Sequence, residues 1–318
     1  MPDRLGPPLE QPLFDQLTLI GVGLIGSSLA RVVRRQNLAK TIVAIDSSEA
    51  ARRRITELKL ADIVTGDYTE GVHNADCVIL CVPVGACGSV TEKIAAALKA
   101  GAILSDVGSV KGAIVSQVES HLPKHVHFVP AHPVAGTEQS GPDAGFATLF
   151  NNRWCILTPP EGTNTDAVAK LRQFWEGVGS NVEEMSPAHH DLVLAITSHL
   201  PHLIAYNIVG TAADLEAVTQ SEVIKFSAGG FRDFTRIAAS DPTMWRDVFL
   251  NNKEAVLEML GRFTEDLSAL QRAIRWGDGD ALFDHFTRTR AIRRSIIEIG
   301  QDSATPDFGR QAKDDPVQ

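Results

Sequence analysis

The sequence lacks a surplus of positive charge, and this excludes several kinds of protein. Lys and Arg number 30 against 39 Asp and Glu, a formal net charge of −9 at pH 7. Because binding to nucleic acid or to an anionic membrane needs a basic surface, we expect neither partner. An uninterrupted apolar run of the roughly 20 residues that span a bilayer is also absent. Residues 1–12 lack the apolar core of a signal peptide, which predicts a cytoplasmic protein.

Cysteine is scarce as well. The four cysteines show no C-x-x-C spacing, so the sequence supports neither a zinc knuckle nor a thioredoxin-type motif, and we expect free buried thiols. The pairs His125/His127 and His189/His190 have no cysteine or carboxylate at ligand spacing. We therefore interpret them as surface or structural histidines and predict no metal site.

The 318 residues suffice for about two domains. In the first part, continuous Val, Ile and Leu runs alternate with helical stretches, as in parallel strands that are covered on both faces. The predicted strands are 17–20, 41–46, 76–82, 102–107, 127–131, 154–158 and 181–185; the helices between them include 28–36, 89–99 and 166–178. Such βαβ units predict an α/β fold whose N-terminal part, residues 16–185, is a doubly wound dinucleotide-binding domain of Rossmann type.

After residue 186 the strands stop. Helices are predicted at 189–211, 214–225, 242–276 and 280–301, with an apolar stripe at helical spacing over 254–274. We expect residues 186–301 to form an all-α domain that contributes to the substrate site and joins two subunits into a homodimer. The remaining segments are expected to be a flexible arm at 1–15 and a disordered tail at 302–318.

A glycine-rich loop points to a dinucleotide. The segment GVGLIG at 21–26 follows the first strand and precedes a helix, and Asp46 ends the next strand 20 residues beyond Gly26. Together these features match the dinucleotide fingerprint, in which backbone amides at a helix N-terminus bind the pyrophosphate. The residues expected to bind the cofactor are Gly21, Gly23, Leu24, Ile25, Gly26, Asp46, Ser47, Val82, Pro83 and Val84.

Asp46 also predicts which cofactor is bound. Its carboxylate can accept hydrogen bonds from both ribose hydroxyls of NAD, whereas it would repel the 2′-phosphate of NADP. The basic run 52–54 follows on a predicted helix, and we interpret it as a solvated face. NAD is therefore favoured over NADP.

Two polar segments, 106–111 and 132–138, follow predicted strands on the side where active sites of open α/β sheets lie. An NAD enzyme that oxidises an alcohol needs a group to take or hold the hydroxyl proton. Imidazole suits this role because its ordinary pKa is near 6.5. Of the ten histidines, His132 is the best placed, because the strand end directs it toward the cofactor cleft.

The segment SHLPH at 198–202 has a physical interpretation of its own. Ser198 and His202 are four residues apart and share one helix face, while Pro201 frees the Thr197 carbonyl and should kink the helix. This combination suits the wall of a pocket, but histidines satisfied within a helix interface fit equally well. Trp245 is open to two interpretations, an active-site or interface aromatic and a core residue.

Five segments together resemble the prephenate/arogenate dehydrogenases of tyrosine biosynthesis: GVGLIGSSLA, DVGSVK, HPVAGTEQSG, SHLPH and GFRDFTRIAASDPTMWRDVFLNN. The resemblance runs in order from about Leu17 to Gly300. It implies an oxidative decarboxylation in which His132 hydrogen-bonds the ring hydroxyl, Ser109 bridges that hydroxyl and the nicotinamide end, and Arg236 binds a substrate carboxylate. The residues it implies around the rest of the substrate are Ser198, His199, His202, Thr137, Glu138 and Trp245.

Two alternatives remain open at this stage. A β-hydroxyacid dehydrogenase also joins a dinucleotide-binding domain to a helical one, but that class relies on a lysine in its helical domain. A non-catalytic NAD-sensing module would need no polar cluster at the strand ends. The sequence does not decide between prephenate and arogenate as substrate.

Overall fold

The structure, a computed structural model, describes residues 5–219 and 229–298. Its first elements alternate between strand and helix: β1 (Phe14–Ile20), α1 (Leu24–Gln36), β2 (Ala39–Ile45), α2 (Glu49–Glu57), β3 (Ile63–Thr65), α3 (Tyr68–Val72), β4 (Cys77–Leu80), α4 (Cys87–Ile94), β5 (Ile103–Asp106), α5 (Lys111–Glu119) and β6 (His127–Phe128). The six strands form one parallel sheet in the order β3-β2-β1-β4-β5-β6. This is the strand order of dinucleotide-binding domains, and it confirms the predicted fold class.

Apolar side chains cover both faces of this sheet. Leu17 and Leu19 of β1 belong to one buried cluster, which includes side chains of α1, whereas Ile20 belongs to a second cluster on α4 and α5. Alternate residues of one strand therefore enter two cores, which explains why the strands are continuous apolar runs. Three of the four cysteines are buried as expected, and Cys81 is partly buried.

The predicted strand 127–131 is wrong as a single element. The chain leaves the parallel sheet after β6 and starts a second sheet, in which β7 (Ala131–Pro133) pairs antiparallel with β8 (Trp154–Leu157). β9 (Asn181–Glu184) pairs parallel with β8, and α6 (Thr165–Gly177) connects the two. Pro130 has no amide hydrogen, so the first ladder cannot continue through it. His132 therefore lies inside β7 rather than at the end of a parallel strand.

The expected flexible arm at residues 1–15 needs correction. Residues 5–13 are not a loose arm, because Leu5, Leu9 and Leu13 pack against the core and the Leu9 amide donates to the Gln36 carbonyl at 3.0 Å. Packing of these three leucines against the core holds the segment in place despite the prolines between them. β3 is not among the predicted strands, because its three residues are too few to show a strand-like pattern of apolar residues.

The remaining described elements are helical: α7 (Pro187–Leu194), a π-helical turn (Ala195–His199), α8 (Leu200–Thr219), α9 (Gly229–Thr235), a 3₁₀ turn (Arg236–Ala239), α10 (Pro242–Asn251), α11 (Lys253–Trp276) and α12 (Gly279–Glu298). The predicted helix 242–276 is interrupted at Asn252, whose side chain is buried and hydrogen-bonded. The predicted start of a helix at 214 is also wrong, since α8 continues through it. Residues 220–228 and the predicted tail at 302–318 lie outside the described residues.

Contacts divide the chain into one unit that ends at Met259 and a second that begins at Leu260, within α11. In the first unit the helical stretch Pro187–Asp214 is long and apolar enough, by length and composition alone, to cross a membrane. Polar residues interrupt its apolar sequence, so it contains no long uninterrupted apolar run. The stretch carries the buried polar side chains His190, Asp191 and His199, which are hydrogen-bonded within the protein.

Candidate active site

The glycine loop between β1 and α1 brings backbone segments unusually close. Gly21 has φ +84°, and a Cβ there would lie 2.9 Å from the Cys81 carbonyl oxygen. A Cβ on Gly26 would lie 2.6 Å from the Gly21 carbonyl oxygen, whereas one on Gly23 would meet no atom within 4 Å. No side chain caps the first amides of α1. The loop thus offers free amide donors and space in front of them, which fits a pyrophosphate.

Asp46 follows β2 and borders a cleft beside this loop. Its carboxylate accepts hydrogen bonds from the amides of Val22 at 3.1 Å and Ser48 at 2.9 Å. The cleft, of about 200 Å³, is lined by Gly21, Val22, Gly23, Asp46, Ser47, Tyr68, Cys81, Val82 and Pro83. It lies where the strand order reverses between β1 and β4, the place where doubly wound sheets bind dinucleotides. Tyr68 is a cleft residue that the sequence analysis missed.

Leu24, Ile25, Gly26 and Val84 are not among the residues that line this cleft, although the first three carry amides at the start of α1. Leu24 and Ile25 pack against the core cluster, and Val84 is only 6% exposed. Two of the three basic residues of α2 are engaged, because Arg52 donates to the carbonyls of Asp46 and Ser47, and Arg54 pairs with Asp143. These engaged guanidiniums do not favour the 2′-phosphate of NADP.

Two buried charged residues, for which the sequence predicted no role, lie at the end of β5 and at the start of α5. Asp106 and Lys111 form an ion pair with both side chains fully buried. Asp106 also accepts from the Gly108 amide at 2.8 Å, which shapes the turn that carries Ser109. Because burying two charges is costly, a pair of this kind persists only with such additional hydrogen bonds.

His132 is buried, 8% exposed, and contacts a second histidine. Its Nδ1 lies 2.8 Å from Nε2 of His190, and the two rings meet edge to face at 5.0 Å. His190 in turn places its Nδ1 2.8 Å from a carboxylate oxygen of Asp191. The two oxygens of Asp191 also accept the Lys111 and Gly112 amides at 2.7 and 2.8 Å. An Asp–His–His chain therefore connects the N-terminus of α5 to His132.

Burial decides the charge state of this chain. It lowers the pKa of His132 well below the ordinary value of 6.5, and the neighbouring His190, Lys111 and His199 lower it further. Burial also lowers the pKa of His190, although Asp191 opposes the shift. For Asp191, burial raises the pKa, but hydrogen bonds from His190 and from the α5 amides lower it by more. Near neutral pH the Asp–His–His chain thus consists of a carboxylate and two uncharged imidazoles.

The predicted interruption before Pro201 takes the form of the π-helical turn at Ala195–His199. This turn directs His199 inward, where its Nδ1 lies 3.0 Å from the Asn252 amide nitrogen. His202 stacks on Trp245 with the ring centres 3.6 Å apart and donates from Nδ1 to the Ser198 carbonyl. Burial lowers the pKa of His199 to about 4 and also lowers that of His202. This cluster forms an aromatic wall of neutral rings.

Arg236 and Glu138 come together although 98 residues separate them in the chain. The Arg236 guanidinium lies 3.2 Å from the Glu138 carboxylate, and both side chains are partly exposed. Thr137 is exposed beside Glu138 and accepts from the Gln139 amide at 3.3 Å. Ser198 contributes its carbonyl to His202, and Ser109 is partly buried on the turn before α5.

His190, Asp191 and Asn252 were not predicted from the sequence as parts of this site, whereas Asp106 and Lys111 belong to the predicted polar segment 106–111 but had no role assigned to them. His190 was read with His189 as a surface or structural histidine, but only His189 is exposed. One signal was available: His190 and Leu194 are four residues apart and therefore share the buried face of a helix. A histidine and an aspartate on that face need partners, and the strand-end segments supply them.

Comparison with known proteins gives consistent matches along the chain. Residues 29–184 match the family described as prephenate dehydrogenase, nucleotide-binding domain, and residues 186–288 match prephenate dehydrogenase, dimerization domain. The chain is 44% identical over 284 residues to the cyclohexadienyl dehydrogenase of Zymomonas mobilis, covering 89% of this chain and 97% of that protein. It is 34% identical over 295 residues to the prephenate dehydrogenase of Bacillus subtilis, covering 92% of this chain and 79% of that one.

Solved structures agree with these matches. The prephenate dehydrogenase of Aquifex aeolicus, in complex with hydroxyphenyl propionate and NAD⁺, superposes with a TM-score of 0.83 at 34% identity, covering 91% of this chain and 99% of that chain. The arogenate dehydrogenase of Synechocystis superposes with a TM-score of 0.74 at 28% identity, covering 88% of this chain and 99% of that chain.

Proposed function

Because this chain belongs to the prephenate dehydrogenase family, we propose that it is an oxidoreductase that uses NAD to decarboxylate prephenate, arogenate or both. The products are 4-hydroxyphenylpyruvate and tyrosine, respectively. The observation that carries the proposal is the combination, in one unit, of a dinucleotide cleft with a buried, neutral histidine in the segment HPVAGTE. A dinucleotide-binding module with no reaction to catalyse has no need of the second feature.

The residues around the glycine loop suit NAD. Gly23 and the free amides of α1 face the space that a pyrophosphate requires, and Asp46 can accept from the ribose hydroxyls. When bound, NAD supplies the acceptor for the hydride that leaves the ring carbon bearing the hydroxyl. We retain NAD rather than NADP because the guanidiniums of Arg52 and Arg54 already have partners.

His132 receives the hydroxyl proton in this proposal. The neutral imidazole accepts a hydrogen bond from the ring hydroxyl and takes its proton as the C–O bond gains double-bond character. Loss of carbon dioxide from the opposite ring position then supplies the electron pair that completes the aromatic ring, and the resulting phenolate oxygen takes back the proton from His132. Ser109 on the turn after β5 is proposed to hold the same hydroxyl.

Arg236 is proposed to bind a substrate carboxylate. Its planar guanidinium offers paired donors, and Glu138 occupies one side of it at 3.2 Å. An arriving carboxylate would compete with Glu138 for these donors, while Glu138 could accept an ammonium group on an arogenate side chain. The neutral wall of His199, His202 and Trp245, together with Thr137 and Ser198, is proposed to enclose the rest of the substrate.

The helical part is proposed to join two copies of the chain. Leu192, Ile196, Ile208 and Val209 are between 38% and 47% exposed, an apolar face on α7, the π turn and α8. Such a face favours a homodimer. We propose that residues 186–301 form the helical domain through which the two copies associate. A cytoplasmic location is also proposed. Light scattering of the purified protein measures the subunit number.

One assay tests the reaction. Purified protein is mixed with NAD and either prephenate or arogenate, and NADH absorbance and carbon dioxide release are followed together. Equal amounts of NADH and carbon dioxide with at least one substrate are expected. Absence of turnover with both substrates, in protein that binds NAD, would contradict the proposed reaction.

A further inference from the structure

We infer that His190 and Asp191 are positioning residues that hold His132 in the one tautomer able to accept the substrate's hydroxyl proton. The inference rests on the proposed function, because it assigns these residues to the reaction through His132. It adds a second histidine and a carboxylate from α7 to a site whose proton acceptor is in β7. Neither of them is placed to touch the substrate itself in this scheme.

The hydrogen bonds fix each ring in turn, starting from the carboxylate. Both Asp191 oxygens accept amides of α5, and a carboxylate has no hydrogen to donate, so Nδ1 of His190 must be the donor at 2.8 Å. A neutral imidazole carries one hydrogen, which makes Nε2 of His190 an acceptor. Nδ1 of His132 must then donate across the 2.8 Å contact. The lone pair of His132 is left on Nε2.

The Asp–His–His chain is anchored at Asp191, so the rings have little freedom to turn. Asp191 accepts the first amides of α5, a helix that has no capping side chain of its own at Val110. The Asn252 side chain donates to the Asp191 carbonyl at 2.9 Å. His190 is fully buried and Asp191 is 9% exposed. These contacts resist both a flip of the His190 ring and a change of its tautomer.

The charged and titratable groups around His132 come from every neighbouring element. Asp106 of β5 and Lys111 of α5 balance each other, His190 and Asp191 lie on α7, His199 lies in the π turn, and Cys155 lies on β8. Of the two carboxylates in this group, Asp191 is the one connected to His132 by hydrogen bonds, through His190. When His132 takes a proton on Nε2, the positive charge is stabilised through His190 toward Asp191, and no atom of the chain has to move.

Three variants separate positioning from simple structural support. His190→Leu removes the acceptor for His132, whereas His190→Gln keeps an amide oxygen that can accept from Nδ1. Asp191→Asn introduces a donor that favours the opposite tautomer of His190, and through it of His132. The matched control is His189→Leu, because His189 is exposed and adjacent in sequence. NAD affinity and thermal unfolding identify any variant that fails to fold.

We expect His190→Leu and Asp191→Asn to lower kcat by about 10²- to 10⁴-fold with KM changed less than about threefold, the pattern of a wrongly held base. The kcat of His190→Gln should be at least about a tenth of the kcat of the parent protein. In the pH profile of kcat/KM, the acid limb should move in His190→Leu but not in His189→Leu. Unchanged kcat and an unchanged acid limb in His190→Leu would overturn the inference.

The tautomer is measured separately, without substrate, by NMR of the imidazole nitrogens, with the His132 signals assigned from the spectrum of His132→Asn. We expect the hydrogen on Nδ1 of His132 in the parent protein and a shift toward Nε2 in Asp191→Asn. A parent protein with the hydrogen on Nε2 would refute the inference even if turnover is high. Conversely, an Nδ1 hydrogen in a protein that turns over neither substrate would refute the proposed reaction alone.

Discussion

The ammonium group of Lys111, fully buried against Asp106, also donates a hydrogen bond to the Ala131 carbonyl at 2.7 Å. Ala131 directly precedes His132 in β7, and the Lys111 amide is held by Asp191. One residue thus links the turn after β5, the strand that carries the proposed base and the helix that carries its partner. The ion pair is a structural support of the site as well as a buried charge.

Replacing Lys111 tests this support. Lys111→Met leaves Asp106 buried without a counter-ion, and we expect the free energy of unfolding to fall by about 3–5 kcal/mol, measured by urea unfolding. The double variant Asp106→Asn/Lys111→Met should recover most of this loss, because no charge then stays buried. Lys124→Met, at an exposed lysine, is the control. Equal stability of Lys111→Met and the parent would show that the pair is dispensable.

How much of this was predictable depends on the distance in sequence between the interacting residues. The glycine loop, Asp46 and the parallel strands could be predicted, because fixed local spacings determine them. The contact of His132 with His190 spans 58 residues, and the one local signal that separates His190 from its exposed neighbour His189 is its helical spacing from Leu194. The chain's exit from the sheet has one sequence signal, Pro130, because the apolar residues around it look the same whether they form one strand or two.

A second prediction concerns Asp46, which is proposed to select the cofactor. Asp46→Ser removes the acceptor for the ribose hydroxyls and the repulsion of a 2′-phosphate, and it loosens the contact with the Val22 amide. We expect kcat/KM for NAD to fall about tenfold or more and the ratio of NAD to NADP efficiency to fall further. Steady-state assays with both cofactors measure this, and Asp67→Ser on the neighbouring helix cap serves as control. An unchanged NAD efficiency would argue against the assignment of Asp46.

The third prediction concerns Arg236. Because its side chain is 56% exposed and pairs only with the partly exposed Glu138 carboxylate among the contacts described above, its loss should affect substrate binding more than folding. Arg236→Ala should raise KM for the substrate about 10- to 100-fold with a smaller effect on kcat, as expected for a lost charge-assisted hydrogen bond. Arg236→Lys should be intermediate, since an ammonium cannot bind a carboxylate with two parallel bonds. Arg246→Ala, also exposed, is the control; equal KM values in the two alanine variants would contradict the role.

Acid should destabilise the protein through the same buried histidines. Burial lowers the pKa of His132, His190 and His199, that of His199 from 6.5 to about 4. Between these two pH values the unfolded chain binds protons that the folded protein does not. Stability is therefore highest above pH 6.5 and falls as the pH falls, by at most about 1.4 kcal/mol per pH unit for each histidine.

Urea unfolding across this pH window measures the slope. His199→Asn should reduce this slope by no more than the contribution of one histidine. A free energy of unfolding that does not change over the window would mean that these rings are as easily protonated folded as unfolded. In that case the assignment of neutral rings in the site would be wrong.

His132→Asn gives the narrowest test of the proton acceptor. An asparagine amide can still donate to Nε2 of His190 in place of Nδ1, so the contact at 2.8 Å is retained and only the outer acceptor is lost. We expect kcat to fall about 10²-fold or more, with modest changes in KM for both substrate and NAD. His189→Asn should keep the parent kcat. If His132→Asn keeps it as well, the hydroxyl proton leaves through another group, and the Asp–His–His chain supports the fold rather than the reaction.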